Sequence, residues 1–489
     1  MSAALIFSPV DGYTDLSTIG EALSPLDGRY RPVVHALSNY LSEAALNRAR
    51  IHVEIEWLIH LLDTQALPGA PTLTDAERDY LRALPRAFGA THIQRLAEIE
   101  AETRHDVKAV EYLIGEYMRE ATKVLGDSTH LPELTEVVHI FCTSEDINNL
   151  AYALTIRSAV TNEWLPAAAR LTDRLVELVD AGAHTPMLAR THGQPATPVT
   201  IGKEIAVIHH RLTRQIHRIE QTEYLGKING ATGTWAAHVI SVPEANWPAI
   251  TRNFVEKLGL TWNPFTTQIE SHDWQAELYS DIARFNRIAH NLATDCWSYI
   301  SLGYFHQNLS AQGSTGSSTM PHKVNPIRFE NAEANFEISC ALCDSLAATL
   351  VTSRLQRDLT DSTTQRNIGV ALGHSALAID NLVRGLRGID IDAQRMSDDL
   401  DTQWAVLGEA VQQAMRAAAI AGATGMANPY ERLKELTRGH EVSAESMRDF
   451  ISGLGLPDAV EARLLALSPH TYIGLSETIA QWVHEDTLS

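Results

Sequence analysis

The amino-acid sequence predicts an all-α fold, and three observations support that prediction. Apolar residues recur at three- and four-residue steps over long segments, as they do on one face of a helix. Proline is nearly absent from the interiors of these segments. Strand-like alternation is limited to residues 228–242, where several glycines favour either a short hairpin or an irregular loop. The predicted helical segments are residues 33–64, 92–123, 145–181, 198–223, 274–310, 328–352 and 364–388.

The segments have lengths and start signals that are typical of packed helices. Thr143 and Asp146 have the spacing of a capping box. Thr197 precedes Pro198 as an N-cap residue precedes a proline at the first helical position. Several segments exceed 25 residues, and each of those would be about 40 Å long at a rise of about 1.5 Å per residue. Helices of that length usually pack side by side in a bundle.

The helices divide the chain into three predicted domains. An N-terminal helical domain covers residues 1–132 and includes an extension, 1–23, to which no use is assigned. A central bundle of long helices covers residues 133–388, and a C-terminal domain of shorter helices covers 389–489. Loops rich in Gly, Pro, Ser and Thr interrupt the helices, and binding residues are often found on such loops. These loops are residues 24–32, 182–197, 226–247, 311–327 and 356–363.

The composition excludes several classes of function. The chain has 39 basic and 60 acidic residues, so its formal net charge is −21. Neither a nucleic acid nor a membrane is therefore expected as a partner, although a local basic cluster could still bind a small anion. No segment approaches the roughly 18 apolar residues of a membrane span, and the N-terminus lacks a signal-peptide pattern. We therefore expect a cytoplasmic protein.

The four cysteines are too few for a disulfide framework in a chain of this length. Cys340 and Cys343 form a CxxC, which could indicate a metal or redox site. Their surroundings are apolar and helical, however, and no second pair lies nearby. We expect both thiols to be buried in the core.

The most informative segment is GSTGSSTMPHKVNPIRFEN, residues 313–331. Its small residues permit close backbone approach, and its backbone N–H groups and lysine suit a carboxylate or a phosphate. It is not a P-loop, because the G-x4-G-K-[ST] spacing is absent. The glycine-rich run GKINGATG, residues 226–233, also lacks the GxGxxG spacing and is interpreted as a structural loop.

Residues 316–330, GSSTMPHKVNPIRFE, resemble the GSSxMPxKxNxxxxE signature of the fumarase/aspartase superfamily. Further segments, spread in order over nearly the whole chain, resemble the adenylosuccinate lyase family of the bacterial type. They are SPLDGRY (24–30), RHDVKAVEY (104–112), TSEDINN (143–149), RTHGQPATPVTIGKE (190–204), TTQIESHD (266–273), RDLTDSTTQRN (357–367), YERLKELTRG (430–439) and TYIGLS (471–476).

The resemblance implies a β-elimination that releases fumarate in purine nucleotide biosynthesis. The substrates would be N6-succinyl-AMP, which gives AMP, and SAICAR, the succinylated carboxamide ribotide, which gives AICAR. Such a reaction removes a proton from carbon beside a carboxylate, stabilises a dianionic intermediate with aimed positive charge, and protonates the departing nitrogen. It inherently requires no electron sink and no metal, so neither a cofactor nor a metal ion is expected.

Four residues are predicted to carry the catalysis. His192, in the THGQPA run, is the expected general acid because an imidazole titrates near neutral pH. The resemblance implies that Glu330 orients His192 and that Ser317 is the base. A free serine is a very weak acid, so its alkoxide would need stabilisation by Lys323 and by loop amides. Ser318 is the neighbouring and weaker candidate.

The resemblance also implies a set of substrate-binding residues. Those placed around the nucleotide phosphate, where guanidinium groups bind oxyanions well, are Arg29, Tyr30, Arg357, Ser362 and Arg366. Those placed near the succinyl carboxylates are Thr143, Ser144, Lys323 and Asn325, and those lining the rest of the site are His105, Asp106, Gln268 and Asn331. Arg104 departs from the family pattern, which more often has a small polar residue there, and it is predicted to contact phosphate or to point outward.

The resemblance further implies a homotetramer with a twenty-helix core, in which each active site is built by three chains. Long helices with broad apolar faces independently favour association. Two alternative functions are a sister elimination enzyme, such as an argininosuccinate lyase, and a non-catalytic scaffold that kept the fold. The scaffold hypothesis would be favoured by loss of His192, Ser317, Lys323 or Glu330, and all four residues are present.

Overall fold

The structure is a computed structural model that describes residues 22–308, 323–437 and 442–485. Helices dominate these ranges, so the all-α prediction is confirmed. None of the helices in these ranges is long and apolar enough to cross a membrane. The α-helices are Arg31–Val34, Ser38–Leu41, Glu43–Asp63, Asp75–Ala87, Ala90–Thr103, Asp106–Arg119, Thr122–Leu125, Ser144–Ala159, Leu165–Gly182, Ile201–Glu220, Ala236–Ser241, Trp247–Lys257, Asp273–Leu302, Ile327–Leu350, Thr360–Gln365, Ile368–Arg387, Ala393–Asp401, Gly408–Ile420, Pro429–Thr437, Ala444–Ser452, Asp458–Leu465 and Ser476–Gln481.

Shorter elements complete the described ranges. A π-helical turn, Val160–Trp164, joins two α-helices into one continuous run from residue 144 to 182. The 3-10 helices are His35–Leu37, Leu131–Val137, Trp404–Leu407 and Trp482–His484. The antiparallel strand pairs are Pro186–Met187 with Val199–Thr200, Arg190–Thr191 with Gln194–Pro195, and Phe305–Gln307 with Ile389–Ile391. Leu225–Gly226 pairs in parallel with Thr261–Trp262.

The chain forms two compact units, each assembled from three stretches of sequence. Unit 1 contains Met1–Ala167, His217–Asn286 and Asn335–Leu377, and unit 2 contains the remainder. Every boundary between the units falls inside a long helix. Whether the chain also divides into domains 1–132, 133–388 and 389–489 stays a prediction.

Each unit has its own apolar core. In unit 1 one core cluster runs from Ile51 to Leu134 and packs the N-terminal helices together. In unit 2 a cluster from Leu407 to Leu464 packs the C-terminal helices. Burial of such side chains removes apolar surface from water and contributes about 25 cal/mol per Å².

Several predicted helices are interrupted where the backbone turns. The 33–64 segment breaks at Ser42, whose hydroxyl accepts a hydrogen bond from Ala45 N–H and caps the helix that follows. The 92–123 segment breaks at Arg104, which has a left-handed backbone with φ of 53°. The helix that begins at Asp273 ends at Leu302, before Gly303 with φ of 75°, and does not continue to residue 310. Periodicity therefore located the helices but not their ends.

One local prediction is wrong, one is decided between its two alternatives, and one is confirmed. Thr197 is not an N-cap residue, because the next helix begins at Ile201 after a short strand, and its hydroxyl donates instead to Glu409 Oε2 at 2.6 Å. Of the two alternatives for residues 228–242, the structure has the irregular loop and not the hairpin, and this loop leads into the helix Ala236–Ser241. The side chains of Cys340 and Cys343 are buried, as expected.

Candidate active site

The helix Ser144–Ala159 begins at a capping box that is tied to a distant loop. The carboxylate of Asp146 accepts a hydrogen bond from Thr143 N–H at 2.9 Å, as the spacing of the two residues predicts. The same carboxylate accepts from Asn229 N–H at 3.0 Å and from Gly230 N–H at 3.1 Å. Lys227 Nζ lies 2.8 Å from Asp146 Oδ1, and both side chains are fully buried. Four donors therefore hold one carboxylate at the start of this helix.

The glycine-rich run 226–233 is a structural loop, as interpreted from sequence. Asn149 pairs with the Lys227 backbone in both directions, accepting from its N–H at 2.9 Å and donating to its carbonyl at 3.0 Å. Gly233 has φ of +74°, and a Cβ there would lie 2.3 Å from the Thr266 carbonyl oxygen. Only glycine fits that position, because a side chain would be both strained and in collision.

The segment before this helix contains unusual backbone conformations. His139 and Phe141 have φ of 63° and 66°, a region that residues other than glycine rarely adopt. His139 Nδ1 lies 2.6 Å from Glu54 Oε1, and Glu54 is buried. Although burial alone would lower the pKa of His139, its hydrogen bond to Glu54 raises it. This ion pair holds the turn that leads to Thr143.

Arg357 collects three partners within unit 1. Its guanidinium lies 2.8 Å from Glu145 Oε1, donates to Ser362 Oγ at 3.0 Å, and donates to Gln268 Oε1 at 3.3 Å. Glu145 is buried and follows Ser144 directly. The predicted residues Arg357, Ser362 and Gln268 are thus brought together beside the start of the Ser144–Ala159 helix.

A second cluster surrounds Asp106. Arg50 is buried and lies 2.9 Å from Asp106 Oδ2, while Arg366 lies 3.6 Å from the same oxygen. Burial alone would raise the pKa of Asp106, but the charge of Arg50 and the hydrogen bond from Val107 N–H outweigh it and lower the pKa. Arg50 also donates to Asn148 Oδ1 at 2.8 Å, and Asn148 donates to Glu145. Side chains therefore link the two clusters through Asn148.

The residues next to Asp106 are more exposed. His105 caps the helix Asp106–Arg119, because its Nδ1 accepts from Lys108 N–H at 3.2 Å. Arg104 is exposed, and its side chain makes no hydrogen bond or ion pair with any residue that the structure describes. Arg29 is exposed and Tyr30 half-buried, just before the helix Arg31–Val34.

In unit 2, His192 lies at the tip of a two-residue hairpin turn. Arg190–Thr191 pairs with Gln194–Pro195, and His192 and Gly193 have φ of 54° and 75°. Positive φ at both central residues is the pattern of a type I′ turn. Arg190 anchors the hairpin, donating to Tyr304 Oη at 2.9 Å and to Asp399 Oδ2 at 2.8 Å. The imidazole of His192 is exposed at the end of this support.

The remaining unit 2 residues lie at the start of the helix Ile327–Leu350. Glu330 is exposed and accepts a hydrogen bond from Trp297 Nε1 at 3.3 Å. Lys323 is exposed and Asn325 half-buried in the segment before the helix, and Asn331 follows Glu330. Ser317 and Ser318 lie outside the described residues. No hydrogen bond or ion pair joins His192 to Glu330 within one chain.

The chain is similar to known lyases over most of its length. A family model described as "Lyase" matches residues 28–337, and one described as "Adenylosuccinate lyase C-terminal" matches residues 353–473. Over 461 residues the chain is 45% identical to the adenylosuccinate lyase of Escherichia coli (strain K12), covering 94% of this chain and 97% of that protein. The chain belongs to the adenylosuccinate lyase family.

Other relatives agree with this assignment. The adenylosuccinate lyase of Haemophilus influenzae is 41% identical over 95% of this chain and 99% of its own length. Among solved structures, a fumarate lyase from Mesorhizobium sp. BNC1 superposes with a TM-score of 0.71 at 19% identity, over 92% of this chain and 97% of that one. The 3-carboxy-cis,cis-muconate lactonizing enzyme of Pseudomonas putida gives a TM-score of 0.69 at 20% identity, over 91% and 95%. These two structures show a shared fold.

For this adenylosuccinate lyase family member, sequence reasoning missed residues that contact the predicted ones. They are Glu145 and Arg50, which pair with predicted residues, Lys227, which pairs with the capping carboxylate, and Arg190, which anchors the His192 turn. Glu145 had a local signal, because it lies inside the TSEDINN run beside two predicted residues. Arg50 had none, because its partner is distant in sequence. Lys227 lies in the glycine-rich run 226–233, but nothing in that run indicated a pairing with Asp146.

Proposed function

We propose that the chain eliminates fumarate from N6-succinyl-AMP, giving AMP, and from SAICAR, giving AICAR. The observation that carries the proposal is the 45% identity to the Escherichia coli adenylosuccinate lyase over 94% of the chain. The clustering of Arg357, Ser362 and Gln268 supports it, because the family resemblance implies that all three bind substrate. We further propose that the enzyme works in the cytoplasm without a cofactor.

In the proposed mechanism, Ser317 removes the proton from carbon and His192 protonates the departing nitrogen. Lys323 stabilises the serine alkoxide and the charge that develops on the adjacent carboxylate, since ionised groups act most strongly in a water-excluded site. Glu330 orients His192 and stabilises its charged form. General acid–base catalysis of this kind typically contributes about 10²- to 10⁴-fold to a rate.

Substrate recognition is proposed to divide into a phosphate end and a carboxylate end. Arg29, Tyr30, Arg357, Ser362 and Arg366 bind the phosphate and adjacent groups, with His105 and Asp106 near them. Thr143, Ser144, Asn325 and Lys323 hold the succinyl carboxylates, while Gln268 and Asn331 line the site. Arg104 adds a guanidinium beside His105 that no described residue neutralises.

We propose a homotetramer with active sites shared between chains. Large apolar side chains are exposed on three long helices: Val207 is 40%, Trp297 is 43% and Ile338 is 45% exposed. Association would remove this surface from water. Within one chain Glu330 pairs with Trp297 and no hydrogen bond or ion pair joins it to His192, which agrees with a site shared between chains.

The direct test is an absorbance assay of the purified protein with succinyl-AMP, SAICAR and argininosuccinate in parallel, with a chelator present. We expect turnover of the first two and none of the third. His192→Ala and Ser317→Ala should each abolish turnover while the circular-dichroism spectrum stays that of the wild type. Activity on argininosuccinate alone, or wild-type rates in either variant, would contradict the assignment.

The shared site is tested by mixing two inactive variants, His192→Ala and Glu330→Gln. If the two residues of one site come from different chains, random mixed tetramers recover up to about a quarter of the wild-type activity. Homogeneous samples of either variant serve as controls. An active monomer in sedimentation, or a mixture that stays inactive although tetrameric, would refute the proposal.

A further inference from the structure

Lys227 is a fully buried lysine whose ammonium faces one carboxylate. Its Nζ lies 2.8 Å from Asp146 Oδ1 and 3.4 Å from the Gly230 carbonyl oxygen, and the relative exposure of both charged side chains is 0%. Removing two charges from water costs several kcal/mol per ion before their attraction is counted. A surface or apolar pair would hold the same loop without that cost, so stability alone is a weak reason for the ion pair.

The position of Asp146 suggests what the lysine does. Asp146 occupies the first turn of the helix Ser144–Ala159, two residues after Ser144, which is proposed to hold a succinyl carboxylate. The start of a helix attracts an anion, because its first N–H groups have no partner within the helix. An unbalanced carboxylate in the same turn would repel the substrate carboxylate, and Lys227 cancels that repulsion.

The other ionisable side chains near Asp146 do not supply a positive charge in place of Lys227. His238 is buried, and burial together with the Lys227 charge outweighs the attraction of Asp146 and lowers its pKa to about 4, so it is neutral at pH 7. Burial also raises the pKa of the Cys142 thiol. The charge of His139 is paired with Glu54, because His139 Nδ1 lies 2.6 Å from Glu54 Oε1.

The loop of residues 226–233, which contains Lys227 and is called the lysine loop below, also contacts a second part of the proposed site. Asn229 donates to Thr266 Oγ1 at 2.8 Å, and Gln268 Nε2 donates to the Ala231 carbonyl at 3.1 Å. Gln268 in turn accepts from Arg357. The loop therefore fixes Thr143 and Ser144 on one side and Gln268 on the other.

We propose that Lys227 is a positioning residue for the carboxylate end of the substrate: by neutralising Asp146 and fastening the 226–233 loop, it keeps Thr143 and Ser144 receptive to a succinyl carboxylate. The inference rests on the proposed function. If it is correct, Lys227 affects binding of the fumarate half of the substrate and leaves binding of the AMP half nearly unchanged.

The test is product inhibition of the full-length enzyme, because fumarate carries the carboxylates and AMP carries the phosphate. In Lys227→Met we expect the inhibition constant of fumarate to rise about tenfold or more, since a charge is left unbalanced near the binding site. The inhibition constant of AMP should change less than about twofold, because the Lys227 ammonium contacts Asp146 and Gly230 and none of the proposed phosphate ligands. The double variant Lys227→Met/Asp146→Asn removes both charges and should recover most of the fumarate affinity.

Glu77→Gln is the matched control. Glu77 is also a buried capping-box carboxylate in unit 1, but it contacts Thr74, Thr129 and His130, none of which is a proposed site residue. The Glu77→Gln variant should leave the inhibition constants of fumarate and AMP unchanged. If Lys227→Met does not fold, Lys227→Gln, which retains a donor, is measured in its place.

Two results would overturn the inference. One is an equal loss of fumarate and AMP affinity, which indicates a purely structural role. The other is a double variant that binds fumarate no better than the single one. Failure of the proposed function is a different result, because the wild-type enzyme would then release fumarate from neither substrate and there would be no activity to inhibit.

Discussion

The helices Asp75–Ala87 and Ser144–Ala159 begin at the same kind of motif and are held in different ways. Each has a threonine before the first turn and an acidic residue three positions later, Thr74 with Glu77 and Thr143 with Asp146. Glu77 accepts from the neutral donors Thr74 N–H, Thr129 Oγ1 and His130 N–H, and the half-exposed His130 ring lies 3.7 Å away. Asp146 instead pairs with a buried ammonium.

The difference shows what the same local motif does in two settings. At Glu77 the motif begins a helix and fastens it to the neighbouring turn at Thr129 and His130. At Asp146 it joins residues proposed to bind substrate to a loop from another stretch of unit 1. A carboxylate that anchors only a fold can rely on amides and hydroxyls, whereas one beside an anion-binding site needs a compensating charge.

The largest expected difference between the two motifs is in stability. Asp146→Ala leaves Lys227 buried without its partner, so the free energy of unfolding should fall by about 3–5 kcal/mol. Glu77→Ala leaves neutral donors unpaired and should cost about 1–3 kcal/mol. Urea unfolding at one protein concentration measures both. Equal losses would show that the ammonium adds nothing beyond the amide bonds.

Two glycines allow the backbones near the two motifs to be compared. Gly233 in the lysine loop and Gly69, near the Glu77 helix, both have positive φ, at +74° and +82°. A Cβ at Gly69 meets nothing within 4 Å, so Gly69→Ala should cost about 1 kcal/mol from the left-handed backbone alone. Gly233→Ala adds a collision at 2.3 Å with the Thr266 oxygen and should cost roughly 1–3 kcal/mol more, with a higher KM. If the two variants lose the same unfolding free energy, the loop around Gly233 moves to accept the Cβ atom without further cost.

Glu77 should also contribute to the acid dependence of stability. Burial would raise the pKa of Glu77, but hydrogen bonds from Thr74 and His130 N–H and from the Thr129 hydroxyl lower it from 4.5 to about 2. A carboxylate with a lowered pKa in the folded state stabilises the protein above its unfolded pKa, and that contribution is lost as the pH falls from about 4.5 to about 2. Glu77→Gln should therefore flatten the stability profile in this window. A profile as steep as the wild type's would assign the slope to other carboxylates.

Much of the fold was predictable, because apolar residues that recur at three- and four-residue steps indicate helices locally. The continuous helical run from 144 to 182 matches the predicted 145–181, and the Thr143–Asp146 capping box was visible in four consecutive residues. The Thr197–Pro198 prediction was wrong, because residues 199–200 pair with residues 186–187 to form a strand before the helix can begin. A cap signal is local, but the strand that displaces it depends on a partner elsewhere.

Short motifs predict candidate site residues, and the contacts of those residues appear only in the structure. The motif runs contain Arg357, Gln268, Asp106 and Glu145, yet no run indicated that Arg357 pairs with Glu145 or that Asp106 pairs with Arg50. Charge pairing depends on distances of a few ångströms across elements, and those distances exist only after the helices have packed.

The sequence by itself determined the family, the helical class and the side chains available for chemistry, because these depend on composition, periodicity and short motifs. Only the tertiary structure decided which charges meet, where helices stop, and why a glycine-rich loop carries a lysine. Asn149 and Lys227 are separated by 78 residues along the chain and are joined by two hydrogen bonds in the fold. Contacts at that separation are set by packing of the whole unit, so no local pattern can encode them.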